Sequence, residues 1–304
     1  MRILFMGTPD FALPSLKRLI ADGHEIVGVC CQPDKPQGRH FTLTSPPAKK
    51  LAQEYGIPVF QPKTLGCCEA QEELFALKPD LIVVAAFGKI LPKAILDLPP
   101  KGCINVHGSI LPKYRGAAPI QWAVINDDVT AGVTIMQMAE GLDTGDMLLV
   151  KTLTVGEHET AGELFDRIAE LGADALSEAV NNLDALIPVP QNEEEATWAP
   201  MLKKTDGEID WSRDAKAIYA QIRGVTPWPG AYTTYKGKRL KVHKARVVNR
   251  CGVTASAVSG EGLIVACGSG ALELLEVQLE GAKRMSAEDF IRGQRITEGT
   301  KFGE

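Results

Sequence analysis

The chain has 304 residues, of which 45% are hydrophobic and 23% are charged, and its formal net charge is −5. These values are typical of a globular protein with room for two domains, and they argue against a disordered or fibrous chain. No apolar run approaches the roughly 18 residues of a membrane-spanning helix, and the apolar start is too short for a secretory signal. We therefore expect a cytoplasmic protein without a membrane anchor.

The alternation of apolar runs with amphipathic stretches predicts the secondary structure of the first part of the chain. In chain order, the apolar runs predict strands at 2–7, 25–32, 57–60, 80–87, 102–107 and 131–138. The remaining stretches predict helices or helical turns at 11–22, 47–55, 69–77, 92–97, 118–126 and 160–185. Continuous Val, Ile and Leu runs indicate strands buried on both faces. The pattern therefore predicts an α/β fold with a Rossmann-like, mainly parallel sheet between helices.

The composition changes after residue 185. Residues 186–210 are rich in Pro and Glu and have no hydrophobic period, which is typical of an interdomain linker. Short apolar runs with glycine turns follow, and they predict a small β-barrel or sandwich. We assign 1–188 to the first domain, 189–206 to the linker and 207–304 to the second domain. Acidic residues predominate up to residue 200 and basic residues after it, so the two domains should have different partners.

Several common functions are excluded by missing motifs. The loop after the first strand, GTPDFALP, does not fit G-x-G-x-x-G, and Asp10 places a negative charge where a pyrophosphate would bind. The sequence contains no G-x-x-x-x-G-K-[ST], H-E-x-x-H or G-x-S-x-G. The seven cysteines include no C-x-x-C pair, so we expect reduced thiols, no zinc site and no other metal.

A polar pair ends the predicted strand 102–107. Asn105 and His107 are two residues apart and therefore share one face of the strand, and Gly108 follows them. In open α/β sheets, ligands bind beyond the carboxyl ends of the strands. The plain structural alternative, a polar strand end whose side chains cap nearby backbone, is about as probable when this pair is considered alone.

A second candidate feature is the loop GLDTGD at 141–146, where two glycines surround Asp143. Asp and Gly are also ordinary turn residues, so the loop alone indicates little. Taken together, however, an amide, an imidazole and a carboxylate can donate hydrogen bonds, carry a proton and orient the proton carrier. This set contains no side-chain nucleophile, which favours a reaction whose substrate brings its own nucleophile, such as an amine.

The stretches INVHGSILPKYRGAAPIQWAV and GVTIMQMAEGLDTGDML closely resemble those of the folate-dependent formyltransferases. The resemblance extends to GTPDFA, CQPDKPQGR, ILPKAIL, IRGVTPWPGAYT and LKVHKA, and so covers almost the whole chain. GAAPIQ and WPGAYT favour the members that formylate methionine carried by initiator tRNA. The resemblance implies the formyltransferase fold, an OB-like C-terminal barrel that binds tRNA, and 10-formyltetrahydrofolate as co-substrate.

The same resemblance assigns roles to individual residues by motif match. Asn105 and His107 would stabilise the oxyanion, and Asp143 would orient His107 and assist proton transfer. The acceptor amine would be the nucleophile, in agreement with the absence of one among these side chains. The folate-binding segment would comprise Ser109, Ile110, Leu111 and Pro112, with isoleucine where leucine is more usual.

Two regions are candidates for tRNA binding. Residues 236–250 contain seven Lys and Arg and no acid, and the alternation within them would place several bases on one strand face. A run of charge is usually only a solvated face, but the resemblance makes phosphate contact the better interpretation. We call this run the basic strip, and its predicted contacts are Lys238, Arg239, Lys241 and Lys244.

The second region is the loop 33–47, which is rich in Pro and Gly and is expected to order only when tRNA binds. The resemblance places this loop at the acceptor stem, with Arg39 in contact with the tRNA. The loop continues with His40, Phe41 and Thr42 where the family often has lysines, so aromatic stacking would replace part of the charge.

Two other functions remain open at this point. One is a formyltransferase of the same superfamily that acts on an amino-sugar nucleotide or on glycinamide ribonucleotide. The other is a non-catalytic RNA-binding protein on an enzyme scaffold, although the presence of all three candidate catalytic residues argues against it. No obligatory protein partner is evident from the sequence.

Overall fold

The computed structural model describes residues 1–37, 41–258 and 262–304. The chain forms two compact units. The first comprises Met1–Pro119, Thr130–Leu153 and Phe165–Ala199, and the second comprises Ile120–Val129, Thr154–Leu164 and Pro200–Glu304. None of the helices in these described ranges combines the length and apolar character that crossing a bilayer requires.

The elements up to residue 199 follow the predicted order closely. The helices are α1 (Ala12–Ala21), α2 (Pro47–Glu54), α3 (Cys68–Ala76), α4 (Lys93–Leu96), α5 (Pro119–Ile125) and α6 (Ala161–Asn181). The strands are β1 (Arg2–Gly7), β2 (Glu25–Cys30), β3 (Lys35–Gln37), β4 (Thr42–Thr44), β5 (Val59–Phe60), β6 (Leu81–Ala85), β7 (Cys103–His107), β8 (Arg115–Gly116), β9 (Thr130–Gln137), β10 (Met147–Thr154) and β11 (Trp198–Ala199).

The large sheet holds β7 in its interior, between β9 and β6. Within the described ranges, seven strands lie in the order β10-β9-β7-β6-β1-β2-β5. The pairs from β7 to β5 are parallel, whereas β9 runs antiparallel to β7. The interior of β6 is fully buried, as its unbroken apolar run predicts. The prediction of a mainly parallel sheet is confirmed.

Strand β10 is absent from the sequence-based predictions. Its residues, MLLVKTLT, alternate between half-buried and exposed over the second half of the strand, and it lies at the end of the strand order. A half-exposed edge strand lacks the continuous apolar run that marks the central strands. The apolar-run criterion therefore finds β7 and misses β10.

The segment expected to link the two domains is packed against the first unit over residues 189–199. Val189 exchanges two backbone hydrogen bonds of 2.9 Å with Met147. Strand β11 pairs in parallel with β8, and the Ala199 carbonyl accepts from Ala117 N at 2.9 Å. Pro and Glu content does not reveal such pairing, because the hydrogen bonds come from the backbone of a distant segment.

The second unit is built on an antiparallel sheet. Its elements are α7 (Ala215–Gly224), β12 (Ala231–Tyr235), β13 (Lys238–Val248), β14 (Ala257–Val258), β15 (Leu263–Ala266), β16 (Ala271–Leu279), β17 (Met285–Ser286) and α8 (Ala287–Gln294). The described strands follow the order β12-β13-β16-β15-β14, and β17 pairs with β16.

The chain's last residues bridge the two ends of this sheet. Thr300 O accepts from Ala257 N of β14 at 2.8 Å, and Gly303 N donates to Thr234 O of β12 at 2.7 Å. Phe302 is 1% exposed and stacks on Tyr235 with ring centroids 5.5 Å apart. The result is a closed, barrel-like β unit around an aromatic core, as predicted for the C-terminal part of the chain.

The loop 33–47 is partly regular in the described residues. Strands β3 and β4 pair as an antiparallel hairpin, and Arg39 lies outside the described residues. Asp34, at the base of the hairpin, accepts from Gln61 Nε2 at 2.8 Å and from Lys49 Nζ at 2.9 Å. These hydrogen bonds, the one from Gln61 foremost, lower the pKa of Asp34 below its ordinary value. The hairpin base is therefore anchored to the first unit.

The cysteines fall into two groups, and their reactivity should differ accordingly. Cys67, Cys68 and Cys251 are exposed, whereas Cys30, Cys31, Cys103 and Cys267 are buried free thiols. Burial raises the pKa of Cys30 and of Cys103 to about 12, so almost no thiolate forms there near neutral pH.

Native protein treated with a thiol reagent at pH 8 should therefore be modified at the three exposed cysteines and spared at the four buried ones. Mass spectrometry of the digested product gives the sites directly. The same reaction in denaturant should modify all seven and serves as the control. Rapid native modification of Cys30 or Cys103 would contradict the packing described above.

Candidate active site

The polar pair at the end of β7 lies where the sequence analysis places it. Asn105 is opposite Val84 of β6 and Met136 of β9, and His107 is opposite Thr134 of β9. His107 is 5% exposed, whereas Asn105 is half-buried. No hydrogen bond from a described residue engages the Asn105 amide, so its N–H groups are available to a bound molecule.

One nitrogen of the His107 ring is occupied by the protein itself. Nε2 lies 3.0 Å from the Tyr114 carbonyl oxygen. A carbonyl only accepts, so the neutral ring carries its proton on Nε2 and keeps an unprotonated Nδ1. Nδ1 faces the Asp143 carboxylate at 3.6 Å, just beyond hydrogen-bonding distance. The Tyr114 carbonyl therefore orients the ring, and Nδ1 is the nitrogen that can exchange a proton with a substrate.

Asp143 is held in place by its backbone conformation and by one neighbouring amide. Its φ of +52° lies in the left-handed region, where aspartate is tolerated better than most residues. Its Oδ2 accepts from Gly116 N at 2.9 Å. The loop closes on β9 so tightly that a Cβ on Gly145 would lie 1.7 Å from the Gln137 carbonyl oxygen. A glycine is therefore required at 145, and the turn aims the carboxylate towards His107.

The predicted folate segment follows directly after His107 and is largely buried. Ser109 and Leu111 are 4% and 3% exposed, and only Ile110 is half-buried. The buried Thr134 hydroxyl donates to Ser109 O at 2.7 Å and accepts from Leu111 N at 3.1 Å. Within this segment, Ile110 and the remaining backbone groups are thus the parts most available to a ligand, while Ser109, Leu111 and Pro112 support them.

Three polar residues at the site are not predicted from the sequence. Arg115 is 2% exposed and forms paired hydrogen bonds with Glu193 at 2.8 Å. These bonds raise the pKa of the guanidinium and lower the pKa of the Glu193 carboxyl. Gln191 lies between Arg115 and the Asp143 loop. The sequence shows Arg115 within the motif KYRG, but no sequence pattern indicates that it bonds to Gln191, which lies 76 positions later.

The predicted basic strip lies on β13, in the second unit. Leu240, Val242 and Ala245 face the core, whereas Arg239, Lys241 and Lys244 are exposed. Strict alternation would bury Lys244 together with Leu240 and Val242. A register shift on either side of Lys244 restores its exposure. The bulge therefore keeps Arg239, Lys241 and Lys244 on one outer face of the strand.

The four predicted contacts of the strip differ in their local partners. Lys244 Nζ lies 3.2 Å from Glu276, so part of its charge is compensated. The Arg239 guanidinium lies 4.1 Å from the centre of the Tyr232 ring. Within the part of the chain that the structure describes, Lys238 and Lys241 have no carboxylate partner. Lys238 and Lys241 are thus the least compensated bases of the strip.

Comparison with protein families and known proteins agrees with this architecture. Residues 1–180 match the formyl transferase model and residues 201–295 match the formyl transferase C-terminal domain. The chain is 49% identical to a methionyl-tRNA formyltransferase from Geobacter metallireducens over 99% of this chain and 98% of that one. A methionyl-tRNA formyltransferase from Desulfotalea psychrophila is 51% identical over 97% of this chain and 94% of its own length.

Solved structures show the same fold in more distant proteins. An N-formyltransferase from Helicobacter canadensis, solved with folinic acid and dTDP-3-aminofucose, superposes with a TM-score of 0.69. It is 18% identical and covers 94% of this chain and 100% of its own, a likeness that shows the fold alone. The two domain matches and the full-length relatives show more. The chain belongs to the formyl transferase family of enzymes, in which methionyl-tRNA formyltransferases match it over nearly its whole length.

Proposed function

We propose that this enzyme transfers a formyl group from 10-formyltetrahydrofolate to the amino group of methionyl initiator tRNA. The observation that carries the proposal is the group formed by Asn105, His107 and Asp143 at the carboxyl end of β7. It offers a free amide donor, a free imidazole nitrogen and a fixed carboxylate, and no nucleophile of its own. Relatives of the same length carry the corresponding name. We propose that the reaction takes place in the cytoplasm, where its tRNA substrate is charged.

In the proposed reaction, the neutral amine of methionine attacks the formyl carbon. A C–N bond forms to the amine, and the carbonyl oxygen becomes an oxyanion. The Asn105 amide donates a hydrogen bond to that oxygen, which it can do because none of the described residues bonds to it. The bond from the formyl carbon to folate N10 then breaks, and N10 receives a proton in place of the formyl group.

The proton has a defined route through His107. Nδ1 is unprotonated while Nε2 donates to the Tyr114 carbonyl, so Nδ1 can accept the proton that the attacking amine loses. The imidazolium so formed is stabilised by the Asp143 carboxylate 3.6 Å away. Its N–H can donate to the oxyanion and then return the proton to N10. In this route His107 both stabilises the oxyanion and carries the proton.

The folate site is proposed at the segment Ser109–Pro112, through Ile110 and backbone groups rather than through the buried side chains. Apolar contact with a flat pteridine ring needs a firm surface, and the Thr134 hydrogen bonds supply it. The Helicobacter canadensis neighbour was solved with a folate compound, which supports a folate donor for this fold.

A direct test uses methionyl-tRNA with a free amine and the same tRNA with the amine acetylated. With 10-formyltetrahydrofolate, only the free amine should yield formylmethionine, with release of one tetrahydrofolate per formyl group. Release of tetrahydrofolate at the same rate with the acetylated tRNA would mean hydrolysis of the donor and would reject the proposed acceptor.

The loop 33–47 is proposed to contact the acceptor stem through Arg39. Replacing Arg39 by alanine should impair formylation of initiator tRNA and leave folate affinity nearly unchanged, because the proposed folate surface lies at Ser109–Pro112. Lys50→Ala, on the exposed face of α2, is the matched control for loss of one positive charge. Steady-state rates and folate titrations of both variants give the comparison.

Trypsin provides a second measurement on the same loop. Lys35 precedes a proline and is a poor site, so Arg39 is the trypsin site expected within the sequence 33–47. Bound tRNA should slow cleavage there, and folate alone should not. Equal protection by folate alone would make the loop a cover for the donor site and would overturn its assignment to tRNA.

A further inference from the structure

The side-chain amide of Gln191 joins three parts of the first unit. Its Oε1 accepts from Arg115 Nε at 3.0 Å and from Arg115 Nη2 at 2.8 Å. Its Nε2 donates to the carbonyl oxygens of Asp143 at 2.8 Å and of Gly145 at 2.7 Å. All four hydrogen-bonding positions of the amide are therefore used, two towards the guanidinium and two towards the loop that carries Asp143.

The chemistry of the partners fixes the orientation of this amide. A guanidinium only donates and a backbone carbonyl only accepts, so the amide oxygen must face Arg115 and the amide nitrogen must face the loop. Arg115 cannot move away, because it is 2% exposed and held by Glu193 from the other side. The backbone hydrogen bonds between Val189 and Met147 hold the segment that carries Gln191 beside the Asp143 loop. Gln191 is thus presented rigidly to the two carbonyls.

The loop needs these donors because its backbone is turned out of the ordinary regions. Asp143 has φ +52°, and Gly145 approaches the Gln137 carbonyl closely. In this turn the carbonyl oxygens of Asp143 and Gly145 both lie within hydrogen-bonding distance of Gln191 Nε2. Without a donor between them, the two oxygens would repel one another. The same turn brings Asp143 Oδ2 to Gly116 N and to the open side of His107.

We propose that Gln191 is a positioning residue for formyl transfer, which holds the Asp143 loop in its reactive turn by donating to both carbonyls at once. The inference rests on the proposed function, since its readout is the rate of formylation. It makes the segment 189–199 a part of the active site rather than a simple connection between domains.

The sharpest test is Gln191→Glu, which has the same shape. A carboxylate keeps, and strengthens, the contact with Arg115, but it turns an oxygen towards the two carbonyls in place of the donors. At pH 8 we expect kcat to fall about tenfold or more relative to the wild type, with nearly unchanged KM for both substrates. As the pH falls and the new carboxyl takes up a proton, the donor returns, and the ratio of variant to wild-type kcat should rise.

Gln191→Met removes the donors without adding charge, so it should lose kcat with no recovery at low pH. Gln53→Glu, on the exposed side of α2, is the matched control for the added charge and should keep the wild-type rate at each pH. Thermal unfolding of each variant separates loss of the fold from loss of rate.

Four outcomes decide the matter. Wild-type kcat for Gln191→Glu at pH 8 would overturn the inference, and so would a pH-independent loss equal to that of Gln191→Met. An inactive wild-type enzyme would instead reject the proposed function itself. A loss in kcat that reverses with pH, with folded variants and an unaffected control, would support Gln191 as the residue that positions the loop.

Discussion

Alanine at Asn105, His107 or Asp143 should leave the fold intact and lower turnover by a hundredfold or more in each case. Loss of one donor to a developing oxyanion typically costs about 3–4 kcal/mol of barrier. Asn105→Ala removes the free amide donor, and His107→Ala removes Nδ1, the ring nitrogen proposed to accept the proton. Asp143→Ala removes the charge that stabilises the imidazolium. Single-turnover rates at saturating donor and acceptor measure the chemical step directly.

Two controls accompany these variants. His158→Ala removes an exposed histidine whose ring bonds only to Tyr219 in the described structure, and it should keep the wild-type rate. Folate affinity of the Asn105 variant should change little, because the amide acts on the oxyanion rather than on the bound donor. A wild-type single-turnover rate in any of the three variants would remove that residue from the mechanism.

Replacing Lys238, Arg239, Lys241 and Lys244 together by alanine should weaken tRNA binding and flatten its dependence on salt. Each lost phosphate contact should reduce the log–log salt slope by about 0.7–0.9. The structure also predicts a ranking of single variants. Lys241→Ala should change the slope more than Lys244→Ala, because Glu276 already compensates part of the Lys244 charge.

Binding of the tRNA at several salt concentrations, for example by filter retention, gives these slopes. Lys17→Ala, on the exposed face of α1, is the control for loss of a charge outside the strip. An unchanged slope in the fourfold variant would mean that the strip is only a solvated surface.

The fold was largely predictable because its central strands are marked by continuous apolar runs. Strands β1, β6 and β7 are such runs, and each lies within about two residues of its predicted bounds. Strand β10 was not predictable by this criterion, since an edge strand alternates where the centre does not. Composition predicts a linker at residues 189–206, whereas residues 189–199 contain backbone pairing with Met147 and β8. Composition does not reveal pairing with a distant strand.

The position of the candidate site was predictable where its residues are close in sequence, as Asn105 and His107 are at the end of β7. Its supporting contacts were not. The Tyr114 carbonyl that orients His107 is a backbone group, which no residue pattern encodes. The amide of Gln191 lies 48 positions from the Asp143 carbonyl to which it donates, and only the folded chain brings them together. Likewise, the alternation of apolar and polar residues along β13 does not reveal the bulge at Lys244.

The most direct test of the central claim is a competition between acceptors for a labelled formyl group. The enzyme is given 10-formyltetrahydrofolate labelled in the formyl carbon, together with methionyl initiator tRNA, methionyl elongator tRNA, an amino-sugar nucleotide and glycinamide ribonucleotide. We expect the label on the methionine amine of the initiator tRNA, and its loss from that product in the His107→Ala enzyme. Label on the sugar nucleotide or on glycinamide ribonucleotide, or none on any acceptor, would contradict the function proposed here.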